Sequence, residues 1–251
     1  FERIKVMPQA FIDLHSHIAW DVDDGIKTKE DAIKALEQAK EDGIMGICST
    51  PHVICGKTDT NAFQNILLRQ QELMEIAKKM GVYIYSGAEM FMNIDFLDSL
   101  DNGIFQTLNE SRYMLVEFDL SRDIHYISYI DEYLDELFCR GFIPIIAHVE
   151  RFFPTGLDLE MVENWLEMGC LLQTNRTSLM GFQGKVIQRN AHHLVKNKMI
   201  HLVASDTHRT VGNRIEKLSD AYQVVIKLTD TEYADQLFLR NPLIILDDEV
   251  L

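Results

Sequence analysis

Five of the nine histidines lie in short polar segments that each follow an apolar run. These segments are Asp13-Leu14-His15-Ser16-His17, Thr50-Pro51-His52, Ala147-His148 and Ser205-Asp206-Thr207-His208. Glu89 and Glu117 follow two further apolar runs in the same way. Imidazole and carboxylate groups, with no cysteine among them, suit Zn, Mn, Fe or Ni rather than a thiolate site. The pattern therefore predicts a metal site built from distant parts of the chain.

More donors are present than one tetrahedral ion can use, so two or three ions sharing carboxylates are favoured. His15 and His17 are two residues apart, which places both side chains on one face of an extended strand. Taken alone, a His-x-His pair or a buried glutamate is more often an ordinary satisfied polar group than a metal ligand. The metal interpretation depends on the convergence of all these segments at one face.

The apolar runs alternate with helical patterns along the whole chain. The predicted strands are Ala10–Leu14, Met45–Ser49, Val82–Ser86, Tyr113–Glu117, Ile143–Ala147, Cys170–Thr174 and Ile200–Ala204. The predicted helices are Thr28–Glu41, Thr60–Met80, Ile124–Arg140, Leu159–Met168, Lys185–Lys196, Arg214–Ile226 and Thr231–Leu239. Continuous apolar strands between amphipathic helices are typical of a parallel sheet that helices cover.

Strand–helix alternation of this kind predicts an α/β fold, an irregular seven-stranded (β/α)7 barrel resembling a TIM barrel. Barrel enzymes carry their chemistry at the carboxyl ends of the strands, where the His, Glu and Asp segments fall. The length of 251 residues fits one such domain over 1–251, with residues 1–10 as an N-terminal extension.

The charge balance excludes several classes of partner. With 24 basic and 39 acidic side chains, the formal net charge is −15, which argues against binding to nucleic acid or to anionic membranes. No apolar run approaches the roughly 18 residues of a membrane span, so no membrane insertion is expected. Four cysteines without a C-x-x-C pair indicate reduced thiols and a cytoplasmic location.

Cys170 and Arg176 have the C-x5-R spacing of cysteine-based phosphatases. In that mechanism the cysteine follows a strand and begins a phosphate-binding loop. Here Cys170 opens a predicted strand, so its thiol would lie at the end of the barrel opposite the histidines. We therefore expect no thiolate mechanism.

Several motifs together resemble the polymerase-and-histidinol-phosphatase (PHP) superfamily. More narrowly, the chain is similar to the manganese-dependent tyrosine-protein phosphatases of bacterial capsule and exopolysaccharide clusters. The resemblance rests on Phe11-Ile12-Asp13-Leu14-His15-Ser16-His17, Asp21-Val22-Asp23-Asp24-Gly25, Ser49-Thr50-Pro51-His52, Gly87-Ala88-Glu89, Leu115-Val116-Glu117-Phe118, Ala147-His148-Val149-Glu150-Arg151, Gln173-Thr174-Asn175 and Ala204-Ser205-Asp206-Thr207-His208. It extends, in order, from Phe11 to the C-terminus.

The resemblance implies a PHP-type barrel with a metal centre of two or three divalent ions, manganese in the first place, with iron and zinc as alternatives. The implied ligands are His15, His17, Asp24, His52, Glu89, Glu117, His148, Asp206 and His208. It also implies two phosphate-binding arginines. Arg151 matches the first directly, whereas the family's second position is Asn213 here, which leaves Arg214 and Arg209 as candidates.

The function that the resemblance implies is hydrolysis of phosphotyrosine by a metal-activated water. The expected substrate is a phosphotyrosine protein, namely the tail of a bacterial tyrosine kinase that regulates capsular or extracellular polysaccharide synthesis. Two alternatives stay open: a small-molecule phosphomonoesterase similar to histidinol phosphatase, and a non-catalytic metal-binding regulator. The sequence does not reveal the oligomeric state.

Overall fold

All strands of the structure, a computed structural model that describes residues 10–251, pair in parallel. They are β1 Phe11–Ser16, β2 Ile44–Ser49, β3 His52–Ile54, β4 Tyr83–Ser86, β5 Glu89–Phe91, β6 Tyr113–Glu117, β7 Ile143–Ile146, β8 Leu171–Asn175 and β9 Leu202–Ala204. One sheet has the order β1-β2-β4 and the other the order β3-β5-β6-β7-β8-β9.

These segments close into a barrel of seven strands, two of which are broken. Two residues, Thr50 and Pro51, separate β2 from β3, and two, Gly87 and Ala88, separate β4 from β5. Backbone pairing continues past the first break, because Glu89 N donates to Pro51 O at 3.1 Å. The ring closes between β9 and β1, where Asp206 N donates to His15 O at 2.9 Å. The predicted irregular seven-stranded barrel is confirmed.

Helices cover the outside of the barrel. They are α1 Lys29–Asp42, α2 Thr60–Met80, α3 Phe96–Asp101, α4 Ile130–Cys139, α5 Leu159–Met168, α6 Arg176–Leu179, α7 Lys185–Lys196, α8 Ser219–Leu228, α9 Thr231–Asp235 and α10 Asn241–Leu246. The bounds of α2, α5 and α7 agree with the prediction residue for residue. A π-turn, Gln236–Arg240, continues from α9 and takes the place of the last part of its predicted helix.

Two predicted helices were wrong at their N-termini. The carboxylate of Asp42, at the end of α1, accepts from the backbone N–H groups of Leu218 and Ser219 at 2.6 and 2.8 Å, so α8 begins at Ser219. Asp123 accepts from His125 N at 3.1 Å and closes a separate 3₁₀ turn. The long predicted helix is split after this turn, because Ile127 leaves the helical conformation with φ of −100° and ψ of 88°. The second part, α4, begins at Ile130.

The barrel interior is apolar at its amino-terminal end. Inward-facing side chains of the strands pack there with Leu108 and with Ile245 and Leu246 of α10, which close that end. A second, larger apolar cluster fills the space between the strands and the surrounding helices. The core therefore supports the barrel from both sides and leaves its carboxyl end for polar groups.

One buried side chain satisfies the backbone at both strand breaks. Gln70 of α2 donates from Nε2 to Ser49 O at 2.9 Å and to Gly87 O at 2.8 Å. Glycine is required at position 87, since an added Cβ would lie 2.8 Å from Cys48 Sγ. Buried carbonyl groups without a donor are costly, so Gln70 makes two adjacent breaks tolerable in one barrel wall.

Replacement of Gln70 by leucine should therefore lower the free energy of unfolding by about 2–3 kcal/mol, because two buried carbonyls lose their donor. Gln71→Leu is the matched control, since Gln71 is the exposed neighbour on the same helix and should stay within about 0.5 kcal/mol of the parent. Urea denaturation of the three proteins measures the difference. Equal losses in both variants would contradict the bridging role of Gln70.

Candidate metal centre

Inward-facing side chains change from apolar to polar along each strand towards the carboxyl end of the barrel. In β8, Leu171 belongs to the inner apolar cluster, and Gln173 and Asn175 follow it on the same face. In β6, Leu115 packs inside the barrel and Glu117 follows it at the mouth. The fold thus places polar groups from neighbouring strands in one layer.

An irregularity in β1 turns two histidines towards that layer. Asp13 pairs with Ile47 and Ser16 pairs with Ser49, so β1 advances by three residues while β2 advances by two. Such a bulge re-aims the side chains that follow it. Leu14 therefore packs inside the barrel, and His15 and His17 lie in the polar layer above it, fully buried.

Glu89 lies at the centre of the buried cluster. Its Oε2 atom is 3.2 Å from His15 Nε2, 3.1 Å from His17 Nε2 and 3.1 Å from His52 Nδ1. Its Oε1 atom is 3.0 Å from His148 Nε2. Four imidazoles from three strands or their ends, β1, β3 and β7, therefore meet one carboxylate.

The remaining predicted ligands border this centre. Glu117 Oε1 lies 3.3 Å from His148 Nε2. On the other side, Asp206 Oδ1 lies 3.3 Å from His208 Nδ1, and Asp24 Oδ1 lies 3.4 Å from His208 Nε2. The structure thus brings all nine residues that the resemblance implies into one continuous cluster.

Hydrogen bonds on the far ring nitrogens orient three of the histidines. The contacts are His15 Nδ1 to Gln173 Oε1 at 3.2 Å, His17 Nδ1 to Asp23 Oδ2 at 2.6 Å, and His208 Nδ1 to Asp206 O at 3.1 Å. Carboxylate and carbonyl acceptors of this kind commonly fix metal-binding histidines, with the other nitrogen directed at the ion. These contacts fit a metal centre.

Three of the residues that hold this arrangement stand in motifs that carry the resemblance, but no role was predicted for them. Asp23 accepts from His17 and from His52 N at 3.0 Å. Gln173 Oε1 also accepts from His148 N at 2.8 Å, and Asn175 donates to Asp206 Oδ2 at 2.7 Å. The available signal was the two motifs themselves, since Gln173 and Asn175 lie at the one strand end that carries amides instead of His, Glu or Asp.

The electrostatics of the cluster favour a cation at its centre. Burial would lower the pKa of His17, but the carboxylates of Asp23 and Glu89 raise it well above its ordinary value. Burial would raise the pKa of Glu89, but His15 and His52 hold it well below its usual range. The carboxylates therefore stay ionised and attract positive charge, which protons or a divalent ion can supply.

Two of the candidate ligands hold the backbone in a conformation that L-residues seldom adopt. His148 has φ of 32° and Asp206 has φ of 53°. Left-handed conformations of non-glycine residues carry strain and are enriched at functional sites. The surrounding hydrogen bonds, including Gln173 to His148 and Asn175 to Asp206, maintain these two residues at the mouth.

Three overlapping groups of side chains have a spacing that could hold a metal ion, with donor atoms within 4.8 Å of one another. The groups are His17-Asp24-His52-His208, His15-His17-Glu89 and His52-Glu89-Glu117. They share His17, His52 and Glu89, so the groups are adjacent parts of one centre.

The three candidate arginines have different surroundings. Arg214 Nη2 donates to Asp206 Oδ1 at 2.7 Å, and Arg151 Nη1 lies 3.6 Å from Asp206 Oδ2. Arg209 instead donates from Nη1 to the backbone oxygens of Asp24 at 2.7 Å and His208 at 2.6 Å. Two guanidinium groups thus flank one carboxylate at the centre, while the third joins two loops.

Cys170 and Arg176 do not form a phosphatase loop. Burial raises the pKa of the Cys170 thiol to about 12, and it lies before β8, at the end of the barrel away from the histidines. The guanidinium of Arg176 forms an ion pair with Asp220 at 2.7 Å. Neither a thiolate nor a free arginine is available there.

Comparison with known proteins places the chain in a family. Residues 11–247 match the family model for capsular polysaccharide synthesis proteins CpsB and CapC. The chain belongs to the CpsB/CapC family. CpsB from Streptococcus pneumoniae, named a tyrosine-protein phosphatase, is 32% identical over 250 residues, which cover 96% of this chain and 100% of that protein. CapC from Staphylococcus aureus is 34% identical over 205 residues, 81% of this chain and 78% of that protein.

Solved structures agree with this assignment. The crystal structures of YwqE from Bacillus subtilis and CpsB from S. pneumoniae, described as metal-dependent tyrosine phosphatases, include a chain with TM-score 0.83 and 27% identity, covering 96% of both chains. A TatD-family hydrolase from Entamoeba histolytica has a TM-score of 0.58 at 12% identity over 96% of this chain and 99% of its own, which shows a similar fold. Within residues 10–251, no helix is long and apolar enough to cross a membrane.

In this CpsB/CapC chain the acidic segment Asp21-Val22-Asp23-Asp24-Gly25 ends in glycine because a larger residue would not fit at position 25. A Cβ at this position would lie 2.5 Å from the carbonyl oxygen of His17 and would also meet the Cβ of His17. The same oxygen accepts from Ile26 N at 3.0 Å, so the loop closes tightly over the histidine. A glycine lets Asp23 and Asp24 approach the cluster from this loop.

Gly25→Ala should displace this loop and reduce the bound metal content by more than half, with a loss of about 1–3 kcal/mol in unfolding free energy from overpacking. Gly103→Ala is the control, because its added Cβ meets nothing within 4 Å and its left-handed φ of 70° costs stability away from the centre. Metal analysis and thermal denaturation separate the two effects. Full metal content in Gly25→Ala would contradict this role.

Proposed function

We propose that this CpsB/CapC-family chain is a metal-dependent protein-tyrosine phosphatase. The observation that carries the proposal is the convergence of nine His, Asp and Glu side chains at the barrel mouth, with Arg151 and Arg214 beside them. Clustered cation ligands next to guanidinium groups suit a phosphoryl group, whose oxygens carry the negative charge of the reaction. The relatives named above support phosphotyrosine as the substrate class.

The proposed cofactor is two or three divalent ions, with manganese as the first choice and iron or zinc as alternatives. Overlapping ligand groups that share His17, His52 and Glu89 support more than one ion. Imidazole and carboxylate donors suit all three metals. When bound, such ions polarise phosphoryl oxygens and activate water for attack.

The arginines divide into two roles under this proposal. Arg151 and Arg214 flank Asp206, where their planar guanidinium groups can hold phosphoryl oxygens in the mouth. Arg209 is a positioning residue, because its guanidinium joins the carbonyls of Asp24 and His208 and so fixes two ligand loops relative to each other. This choice favours Arg214 over Arg209 as the second phosphate-binding residue.

Both alternative functions are less well supported. A non-catalytic regulator would not require the complete ligand set together with two arginines at the mouth. A histidinol-phosphatase-like enzyme would need a carboxylate free to bind the substrate's ammonium group. At the mouth, Asp24 lies 3.4 Å from His208 and Glu117 lies 3.3 Å from His148, so both carboxylates already face imidazoles of the centre.

The proposed partner is the phosphotyrosine tail of a bacterial tyrosine kinase that regulates capsular or extracellular polysaccharide synthesis. The capsule-synthesis description of the family supports this choice. The proposed location is the cytoplasm, where such a tail would be phosphorylated. Cys48, Cys55, Cys139 and Cys170 are all free thiols, in keeping with a reducing compartment.

Purified protein should hydrolyse a phosphotyrosine peptide in the presence of Mn²⁺, and chelation should abolish the activity. His15→Ala should remove a buried ligand candidate and reduce kcat/KM at least a hundredfold while the barrel stays folded. Cys170→Ser, a change at the opposite end of the barrel, serves as the control and should retain parental activity. Activity that survives chelation but not Cys170→Ser would reverse the choice of mechanism.

Alanine variants of the three arginines should differ in their kinetic constants and in their requirement for Mn²⁺. Arg151→Ala and Arg214→Ala should each lower kcat/KM about a hundred- to a thousandfold, the scale of a lost transition-state donor, with metal affinity nearly unchanged. Arg209→Ala should instead raise the Mn²⁺ concentration needed for half-maximal activity and leave KM at saturating metal unchanged. Arg209→Lys should recover part of that loss. If Arg209→Ala raises KM and Arg214→Ala behaves as the parent, the two roles are exchanged.

A further inference from the structure

A cleft of about 330 Å³ opens beside the candidate metal centre. Three of the nine ligand candidates, Asp24, His52 and Glu117, line it. Three apolar side chains, Val22, Ile54 and Phe91, line the same cleft and form its apolar wall. The cleft therefore brings ligand candidates and an apolar wall into one space.

The strand register places Ile54 and Phe91, two of the three residues of this wall, directly beyond the candidate metal ligands. His52 pairs with Glu89 across β3 and β5, and two residues further along the same strands Ile54 pairs with Phe91. Because side chains two apart share a face, Ile54 and Phe91 continue the faces of His52 and Glu89 towards solvent. At about 3.3 Å per residue, the step outward is about 6.6 Å.

This step is comparable to the length of an aromatic ring that carries a phosphoryl group at one end. Ile54 and Phe91 are both partly buried, and neither belongs to the apolar clusters that form the core. Phe91 also pairs with Glu117 across β5 and β6, so its ring adjoins the polar wall. An aromatic ring packed between an aliphatic and an aromatic side chain gains both buried area and a favourable ring contact.

We propose that the Val22–Ile54–Phe91 wall is a binding site for the aromatic ring of aryl phosphates, and that it selects phosphotyrosine over phosphoserine and other alkyl phosphates. The inference rests on the proposed phosphatase function, because the phosphoryl group must occupy the metal centre while the ring lies against this wall. It assigns substrate selectivity to residues that hold neither metal nor phosphate.

Binding of non-hydrolysable phosphonates tests this site without turnover. Isothermal titration calorimetry of the manganese-loaded protein would compare phenylphosphonate with methylphosphonate, which share the phosphonate group and differ in the ring. The parent should bind phenylphosphonate more tightly. Phe91→Ala should reduce this preference about tenfold by weakening phenylphosphonate alone, and Phe91→Tyr, which retains the ring, should preserve it.

Tyr83→Ala is the matched control, because Tyr83 is an exposed aromatic residue at the opposite end of the barrel, at the start of β4. Ile54→Ala is a second test of the wall and should reduce the preference in the same direction as Phe91→Ala. An unchanged preference in both wall variants, or no preference in the parent, would overturn the ring site while leaving the phosphatase proposal intact. Failure of the manganese-loaded parent to bind either phosphonate would overturn both.

Discussion

The carboxylate of Glu89 is the contact on which the site depends. Fully surrounded by protein, it lies within 3.2 Å of imidazole nitrogens from His15, His17, His52 and His148. An ionised carboxylate at this depth is stable only when positive charge lies beside it. Two of these nitrogens, His15 Nε2 and His17 Nε2, lie only 3.1 Å apart. Divalent cations would satisfy these groups together, and this demand agrees with the polar residues at the ends of the seven barrel strands.

Departures from regular strand geometry bring the ligand candidates together at the mouth of the barrel. A bulge turns His15 and His17 inward, two breaks precede His52 and Glu89, and a left-handed backbone orients His148. Each departure has its own compensation, of which Gln70 is the clearest, since one amide serves the carbonyls of both breaks. Most of these departures thus lie at the carboxyl end of the barrel, beside the candidate ligands.

Periodicity was sufficient to predict the barrel and most of its elements, because buried strands and amphipathic helices differ in pattern. It could not predict where α8 begins, since its cap is Asp42, a residue more than 170 positions away. Histidines and acids at strand ends indicated the metal centre, and the family resemblance added Asp24. Asp23 and Gln173 stand in the motifs that carry the resemblance, but their role was missed because they orient other side chains, and spacing along the chain does not identify such contacts. Likewise, only the register of β3 and β5 shows that Ile54 and Phe91 of the apolar wall lie next to His52 and Glu89.

Anomalous diffraction at the manganese absorption edge, from crystals of the manganese-loaded protein, tests the central claim most directly. We expect two or three anomalous peaks bounded by the nine clustered side chains, with at least one beside Glu89 and the Nε2 atoms of His15 and His17. A cluster without any anomalous peak, while manganese is bound elsewhere, would contradict the central claim.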